Sequence, residues 1–444
     1  MASFHLISLG CPKNLVDSEL MFGLLEQAGW VFEQDPQQAS MLLINTCGFI
    51  QSAVEEAIEE ILELSLFKED DPDTLLVVAG CLVQRYQEEL LHELPEVDLF
   101  IGTDDCHQIV PLLEALIAGE LKTKVVIAEE RFLMDSTMPR RISTPLYRSW
   151  LKITEGCNNR CSYCMIPSIR GDLRSRSIAD LVKEAGHLEQ QGVRELSLIA
   201  QDLTAYGDDL ADGVHLPALL QSLLAETTIP WFRLMYLYPS GISDALLSLM
   251  AEQPRIVPYM DIPIQHVSDS VLRRMNRHYT SDDVYQVIGR IRSFLPDVAL
   301  RSTLMVGFPG ETDDDVRQLE HFLREARLDH VGVFAYANES GSPSENFSDQ
   351  CSEEEKNERL DFILGVQAEV SEAIVQKYVG RVEAVLVEGV SRESDLLLEG
   401  RTRFQAPDID GCVYITDGIA SAGDIVQVRI NEAQIYDLVG EIID

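Results

Sequence analysis

Ser149-Trp150-Leu151-Lys152-Ile153-Thr154-Glu155-Gly156-Cys157-Asn158-Asn159-Arg160-Cys161-Ser162-Tyr163-Cys164 is the stretch that decides how this chain is read. A short apolar strand candidate, 149–153, runs straight into three cysteines within eight residues. Soft thiolates separated by three and two intervening residues can converge on one iron–sulfur cluster. A cubane has four irons, so three cysteines leave one iron without a protein ligand. An iron open to a small molecule points to a catalyst rather than a wire. A structural zinc site would want a fourth ligand, and the nearest downstream histidine is His187.

Downstream, strand candidates recur between helices at 195–200, 231–235, 259–264, 299–306 and 330–334. With the strand before the cysteines they predict a complete or partial β/α barrel, whose working groups sit at the carboxyl ends of the strands. Polar residues cluster at those ends: Gln201-Asp202, Gln265-His266, and the glycine turn Gly307-Phe308-Pro309-Gly310-Glu311-Thr312. Singly, each suits a turn or a helix cap. On one rim they describe a ligand-binding edge.

Upstream, strand candidates at 4–9, 41–45 and 74–79 are each followed by a helix, the first from about Val16 to Ala28. This alternation predicts a parallel, doubly wound sheet. Cys11, Cys47 and Cys81 lie 36 and 34 residues apart, about one strand–helix unit each, and each falls just past a strand. Open α/β sheets bind ligands at that edge. Three thiolates on one edge can hold a second cluster, again with one iron unassigned. A lone buried cysteine is usually a small hydrophobe, and Cys106, Cys351 and Cys412 match no ligand pattern and read as packing residues.

The composition frames these units. A chain of 444 residues has room for several cores. The predicted order is an N-terminal α/β domain over 1–125, a linker over 126–146 rich in turn formers, a β/α barrel over 147–376, and a small all-β barrel over 377–444. Within the last unit, short strands are expected at 382–387, 395–400, 413–415 and 424–430, after a long helix over about 351–378. No apolar run is long enough for a membrane span, and the first residues lack a signal peptide's pattern. Nine cysteines without export point to the cytoplasm, where thiols serve metals or catalysis. The net charge of −39 opposes binding through nucleic-acid phosphates and favours a basic protein partner. The terminal barrel, with five basic and 13 acidic residues from Tyr378 to Asp444, repeats that imbalance and reads as a docking module for such a partner.

The octet 157–164, with an aromatic residue before its last cysteine, resembles the cluster motif of radical S-adenosylmethionine enzymes. The longer run from Gly156 through Met165-Ile166-Pro167-Ser168-Ile169-Arg170-Gly171 is similar to that of the methylthiotransferases, as are the spaced Cys11, Cys47 and Cys81 and the order of the three domains. The terminal barrel resembles a TRAM domain. Within that family, Gly10-Cys11-Pro12-Lys13-Asn14-Leu15-Val16-Asp17-Ser18-Glu19 and Ala406-Pro407-Asp408-Ile409-Asp410-Gly411 resemble the RimO branch, which modifies a ribosomal protein. The tRNA-modifying branch carries a glutamine–methionine pair where this chain has Pro12-Lys13.

The resemblance implies two [4Fe-4S] clusters and S-adenosylmethionine as cofactors. One cluster, on Cys157, Cys161 and Cys164, would generate the 5′-deoxyadenosyl radical. The other, on Cys11, Cys47 and Cys81, would deliver the sulfur. The expected reaction places a methylthio group on the β-carbon of an aspartate in the twelfth small-subunit ribosomal protein. An unactivated C–H bond offers no acid–base route, which is why a radical is needed. Expected cofactor contacts are Tyr163 beside the adenine, Gln201, Gln265 and Ser302 on the rim, and Gly307 where a backbone approaches closely. The expected partners are that basic protein and a low-potential electron donor such as flavodoxin or ferredoxin, with no membrane and no direct tRNA binding. The alternatives are methylthiolation of isopentenyladenosine in tRNA, a two-cluster electron carrier without catalysis, and a zinc-dependent ribosomal scaffold.

Overall fold

The computed structural model describes residues 2–128, 131–211 and 213–443. The N-terminal sheet has six strands: β1 (Ser3–Ser8), β2 (Val31–Phe32), β3 (Met41–Thr46), β4 (Leu75–Gly80), β5 (Leu99–Ile101) and β6 (Val125–Val126). They are parallel in the order β2-β1-β3-β4-β5-β6. All six residues of β3 are buried, as expected for a central strand covered on both faces. The chain starts at β1, moves outward to β2 and returns to the other side at β3, so the crossover reverses between β1 and β3. That reversal is where a doubly wound sheet opens a crevice beyond its strand ends.

The helix Pro12–Gln27 follows β1 and begins earlier than its apolar pattern suggests. Pro12 occupies a first-turn position, where its missing N–H costs nothing. The polar Lys13, Asn14, Asp17, Ser18 and Glu19 are all buried on this helix, because a second domain packs over it. Val16 joins one apolar cluster with Trp150 of the next sheet. The segment 127–147 has no helix or strand among the described residues, yet it is packed. Buried Arg140 pairs with Glu19 of that helix at 2.7 Å and with Glu184 at 2.7 Å.

The central sheet contains β7 (Arg148–Lys152), β10 (Glu195–Ile199), β11 (Trp231–Leu234), β12 (Ile256–Asp261), β13 (Ala299–Val306) and β14 (His330–Ala335). They pair in chain order, all parallel, as an open β/α barrel. A two-stranded ribbon, β8 (Thr154–Glu155) with β9 (Arg174–Ser175), lies just beyond the end of β7. Alternate residues sort to two cores, as the period of a strand requires. Leu151, Leu198, Phe232, Leu234 and Met260 join the helices. Trp150, Ile199, Trp231, Tyr259 and Ala299 meet Val385, Val387, Phe404 and Val413 of the C-terminal barrel.

That barrel is closed, in the order β15-β16-β17-β19-β18. Its strands are β15 (Val382–Val390), β16 (Leu398–Thr402), β17 (Val413–Ile415), β18 (Ile425–Ala433) and β19 (Leu438–Ile442). Four correspond to the expected strands; β19 was not evident in the pattern and closes the barrel between β17 and β18. A helix Glu353–Val375, capped by Ser352 and Glu355 in a reciprocal box, leads into it. No helix among the described residues is long and apolar enough to cross a membrane.

Fully buried ions hold the barrel to the central sheet. Glu195 receives Arg233 at 2.6 Å through one oxygen and Arg401 of the barrel at 2.6 Å through the other. Tyr259 donates to Asp410 at 2.7 Å. Burial raises the Glu195 carboxyl, but Arg401 and Arg233 outweigh it and pull it from 4.5 down to about 2. A carboxyl lowered on folding stabilises the fold above its unfolded pKa and loses that contribution as pH falls from about 4.5 towards 2. Glu195→Ala leaves buried Arg233 without its carboxylate and Arg401 with Glu388 alone at 3.0 Å, and should cost about 3–5 kcal/mol in chemical denaturation at pH 7. Glu195→Gln should flatten the loss of stability across that acidic window.

Candidate active site

The sheet register turns the long sequence spacing of the first three cysteines into proximity. Ser8 pairs with Asn45, and Thr46 pairs with Gly80. Cys47 and Cys81 directly follow β3 and β4, and Cys11 follows β1 across the crossover crevice. Gly10 makes the approach possible: its φ is +85°, and a Cβ there would lie 2.7 Å from Cys47 Cβ and 3.2 Å from its sulfur. Cys81 is buried, while Cys11 and Cys47 are partly exposed. Burial pushes the Cys47 thiol up and that of Cys81 to about 11; neighbouring thiols add to both shifts, and Arg170 opposes them.

The second triad lies on a loop closed at its base. Cys157 N–H donates to Gly171 O at 3.1 Å, and a side chain on Gly156 would collide with Asp172 O. The residues between the cysteines tie the loop down. Asn158 Oδ1 accepts from Leu173 N at 3.1 Å, Asn159 donates to Asp202 at 2.7 Å, and Ser162 N–H donates to Met275 O at 3.0 Å. Burial pushes the Cys164 thiol to about 12, with the Cys161 and Cys157 charges adding to the effect. Arg277, buried between Tyr238 and Tyr279, points Nη1 at Cys161 Sγ at 3.4 Å.

Each triad therefore sets its thiols beside one buried guanidinium, Arg170 at Cys81 and Arg277 at Cys161. Among the described residues, no group of three or more His, Cys, Asp or Glu side chains converges as one metal ion would need. A cubane spreads its ligand sulfurs around a body far larger than one ion. Soft sulfur donors in threes, cationic neighbours and no hard carboxylate within either set suit an iron–sulfur cluster.

The two triads face one junction. Cys81 packs with Phe49, Met165 and Ile169, and Met165 directly follows Cys164. Arg170 spans the same junction: Nη2 lies 3.4 Å from Cys81 Sγ, and Nη1 pairs with Asp17 at 2.9 Å and Glu155 at 3.1 Å. Lys152 joins both carboxylates, reaching Glu155 at 2.8 Å and contacting Asp17 still more closely. Burial opposes ionisation of Glu155, yet Arg170 and Lys152 hold it far below the usual carboxylate range. Lys13 crosses to the central sheet, donating to Ala200 O at 3.3 Å over the Tyr236 ring at 3.5 Å.

The other expected site residues divide. Gln201 lies just beyond β10 at this junction and donates to Glu155 at 3.0 Å, while its Oε1 is buried without a partner. Gln265 adopts φ +69° and exchanges backbone hydrogen bonds with Thr303 and Met305. Tyr163 packs edge-on to Phe308, with centroids 6.5 Å apart. Ser302 is committed to backbone, donating to Ile262 O at 2.9 Å and accepting from Ile264 N at 3.2 Å. Gly307, at φ +72°, fits because a Cβ would strike Lys356 Cγ at 2.4 Å. Lys13, Asp17, Glu155, Arg170 and Arg277 escaped the sequence reading. The first four fall within the stretches quoted above, but nothing in those stretches marks their charges as buried at a junction.

The chain is 58% identical to the ribosomal protein uS12 methylthiotransferase RimO of Desulfotalea psychrophila, over 99% of both chains. It is 47% identical to the RimO of Geobacter sulfurreducens, over 99% of this chain and 98% of that one. The chain belongs to the RimO family. Residues 151–323 match the radical SAM superfamily, 3–102 the uncharacterized protein family UPF0004, and 379–443 the TRAM domain. The radical S-adenosylmethionine methyltransferase TsrM from Kitasatospora setae shares the fold. Its TM-score is 0.56 at 14% identity, over 86% of this chain and 80% of that chain. The junction thus sits between a doubly wound sheet and a radical SAM barrel.

Gly10→Ala should cost about 1–2 kcal/mol from its left-handed backbone alone. The contact with Cys47 adds to that. Chemical denaturation reads the loss, and labelling of Cys47 relative to Cys161 in the folded chain should rise.

Proposed function

We propose that this chain is a radical S-adenosylmethionine methylthiotransferase that places a methylthio group on the β-carbon of an aspartate in ribosomal protein uS12. One observation carries the reading: two cysteine triads from different domains face a single buried junction, where Cys81 packs against the residue following Cys164. An electron carrier would keep its clusters fully ligated, and a zinc scaffold has no need of two triads facing each other. Similarity to uS12-modifying relatives across the whole chain supplies the substrate.

In this reading Cys157, Cys161 and Cys164 hold one [4Fe-4S] cluster, and Cys11, Cys47 and Cys81 hold the other. With the groups bound, the chemistry supplied is one-electron cleavage of S-adenosylmethionine, hydrogen removal from the aspartate and delivery of methylated sulfur. The chain's own residues prepare the place. Arg277 and Arg170 each set a buried positive charge beside one triad, offsetting the thiolate charge. Gln201 offers the unpartnered Oε1 to a bound donor, and Gln265 and Tyr163 are the remaining cofactor contacts. Ser302 and Gly307 shape the rim backbone on which those contacts rest. The apolar packing of Phe49, Met165 and Ile169 keeps water from the junction.

The element ranges support domain limits near residues 125, 146 and 376. The acidic terminal barrel would receive the basic substrate protein on the surface left free by its seat on the central sheet. A low-potential donor in the cytoplasm would supply the electron.

The test is to incubate the reconstituted, reduced chain with S-adenosylmethionine and either uS12 or isopentenylated tRNA, and to identify the product by mass spectrometry. Methylthio transfer to uS12 is expected, and transfer only to the tRNA would overturn the substrate. Cys161→Ala should abolish 5′-deoxyadenosine formation. Cys47→Ala should retain some cleavage but lose sulfur transfer. Each variant should hold about four irons instead of about eight.

A further inference from the structure

In a chain with 74 acidic and 35 basic residues, one surface pocket is purely cationic. It encloses about 680 Å³ and is lined by three arginines, Arg160, Arg273 and Arg274, together with serine, asparagine, proline and phenylalanine, and by no acidic residue. Its position is as unusual as its charge. Arg160 and Ser162 belong to the cysteine loop itself, each one peptide bond from Cys161. The opposite wall is the end of the helix Asp269–Arg274. That wall is stitched to the loop: Ser162 Oγ donates to Arg274 O at 2.8 Å, and Asn276 donates to Arg160 O at 2.7 Å. The pocket is therefore the outer surface of the loop that carries Cys157, Cys161 and Cys164.

The arginines are only partly neutralised. Arg160 contacts Asp172 and is 48% exposed; Arg274 lies 4.0 Å from Asp349 and is 36% exposed. Arg273 is exposed and forms no ion pair among the described residues. Arg274 also lies over the Phe347 ring at 5.7 Å, giving the pocket an apolar side.

We propose that this pocket is the docking site of an acidic, one-electron carrier protein. The inference rests on the radical reading above, because that chemistry needs an electron from outside. Electron transfer weakens steeply with distance, so a carrier must dock where the cysteine loop meets the surface. The chain's overall negative charge repels an acidic partner over most of its surface, and three arginines with no carboxylate among the lining residues, on the cysteine loop itself, are where its carboxylates gain energy. Three arginines in so acidic a chain are too few for a nucleic-acid backbone, which calls for a broad basic face.

The experiment uses the full-length chain, wild type and R273E/R274E, with a flavodoxin and its reductase as the probe. Two quantities are read: flavodoxin affinity by calorimetry, and 5′-deoxyadenosine formation driven by flavodoxin or by dithionite, which needs no docking. In R273E/R274E the affinity should fall about tenfold or more, and flavodoxin-driven cleavage should fall with it at limiting flavodoxin. Iron content and dithionite-driven cleavage should stay at wild-type levels, and R273K/R274K should bind as wild type does. R273E alone, which alters a single exposed side chain, should show an intermediate loss if the double variant folds poorly. Unchanged flavodoxin affinity and rate would overturn the proposal, as would a loss confined to binding of ribosomal RNA. If dithionite drives no cleavage even in wild type, the radical reading fails, while the affinity measurement still decides the docking site.

Discussion

Four buried charges at the junction of the first two domains carry the arrangement: Lys152 and Arg170 against Asp17 and Glu155. Two cations and two anions balance, and each carboxylate meets both partners. Such a set contributes little as raw stability, because desolvation offsets most of the attraction. Its value is positional. An alternative seating of the helix Pro12–Gln27 on the central sheet would leave ions buried without partners, which is far more costly than losing the pairs altogether. The register of the N-terminal sheet against the barrel, and with it the facing of the two triads, follows from that constraint.

The same device recurs where the third domain is seated. Glu195 bridges Arg233 and Arg401, Arg301 lies 3.5 Å from Asp410 of the barrel, and at the more exposed rim Arg148 grips Asp408 with paired bonds at 2.7 and 2.8 Å. The terminal barrel is thus a fitted part of the central domain, filling the face of the open sheet opposite its helices. Part of its acidity lies at that seam, where Glu388 and Asp408 face Arg148 and Asp410 faces Arg301. The chain places many of its few basic residues inside, on domain junctions and beside the thiols, which makes the exposed arginines behind the cysteine loop stand apart.

Much of the candidate site was legible because it is built of cysteines. Thiols set at short spacing, or at the length of one strand–helix unit, form a pattern visible in the order of residues alone. The rim residues were less legible. Gln201 keeps a free acceptor, whereas Ser302 is consumed by backbone and Gly307 by the proximity of Lys356. A polar residue at a strand end looks the same in sequence whether it binds a ligand or stitches a turn. Short or weakly patterned strands also escaped: Leu99–Ile101, Val125–Val126 and Leu438–Ile442 are strands because neighbours pair with them.

By itself the sequence determined the parallel sheets, the small terminal barrel and the two thiol sets, since hydrophobic period and cysteine spacing are local properties. Only the tertiary structure decided that Cys81 meets Met165, that Arg170 and Arg277 stand beside the thiols, and that three arginines gather behind the loop. Those facts join residues up to about one domain apart in the chain. They are fixed by ion pairing and packing at the domain junction, which leave no periodic trace in the order of residues.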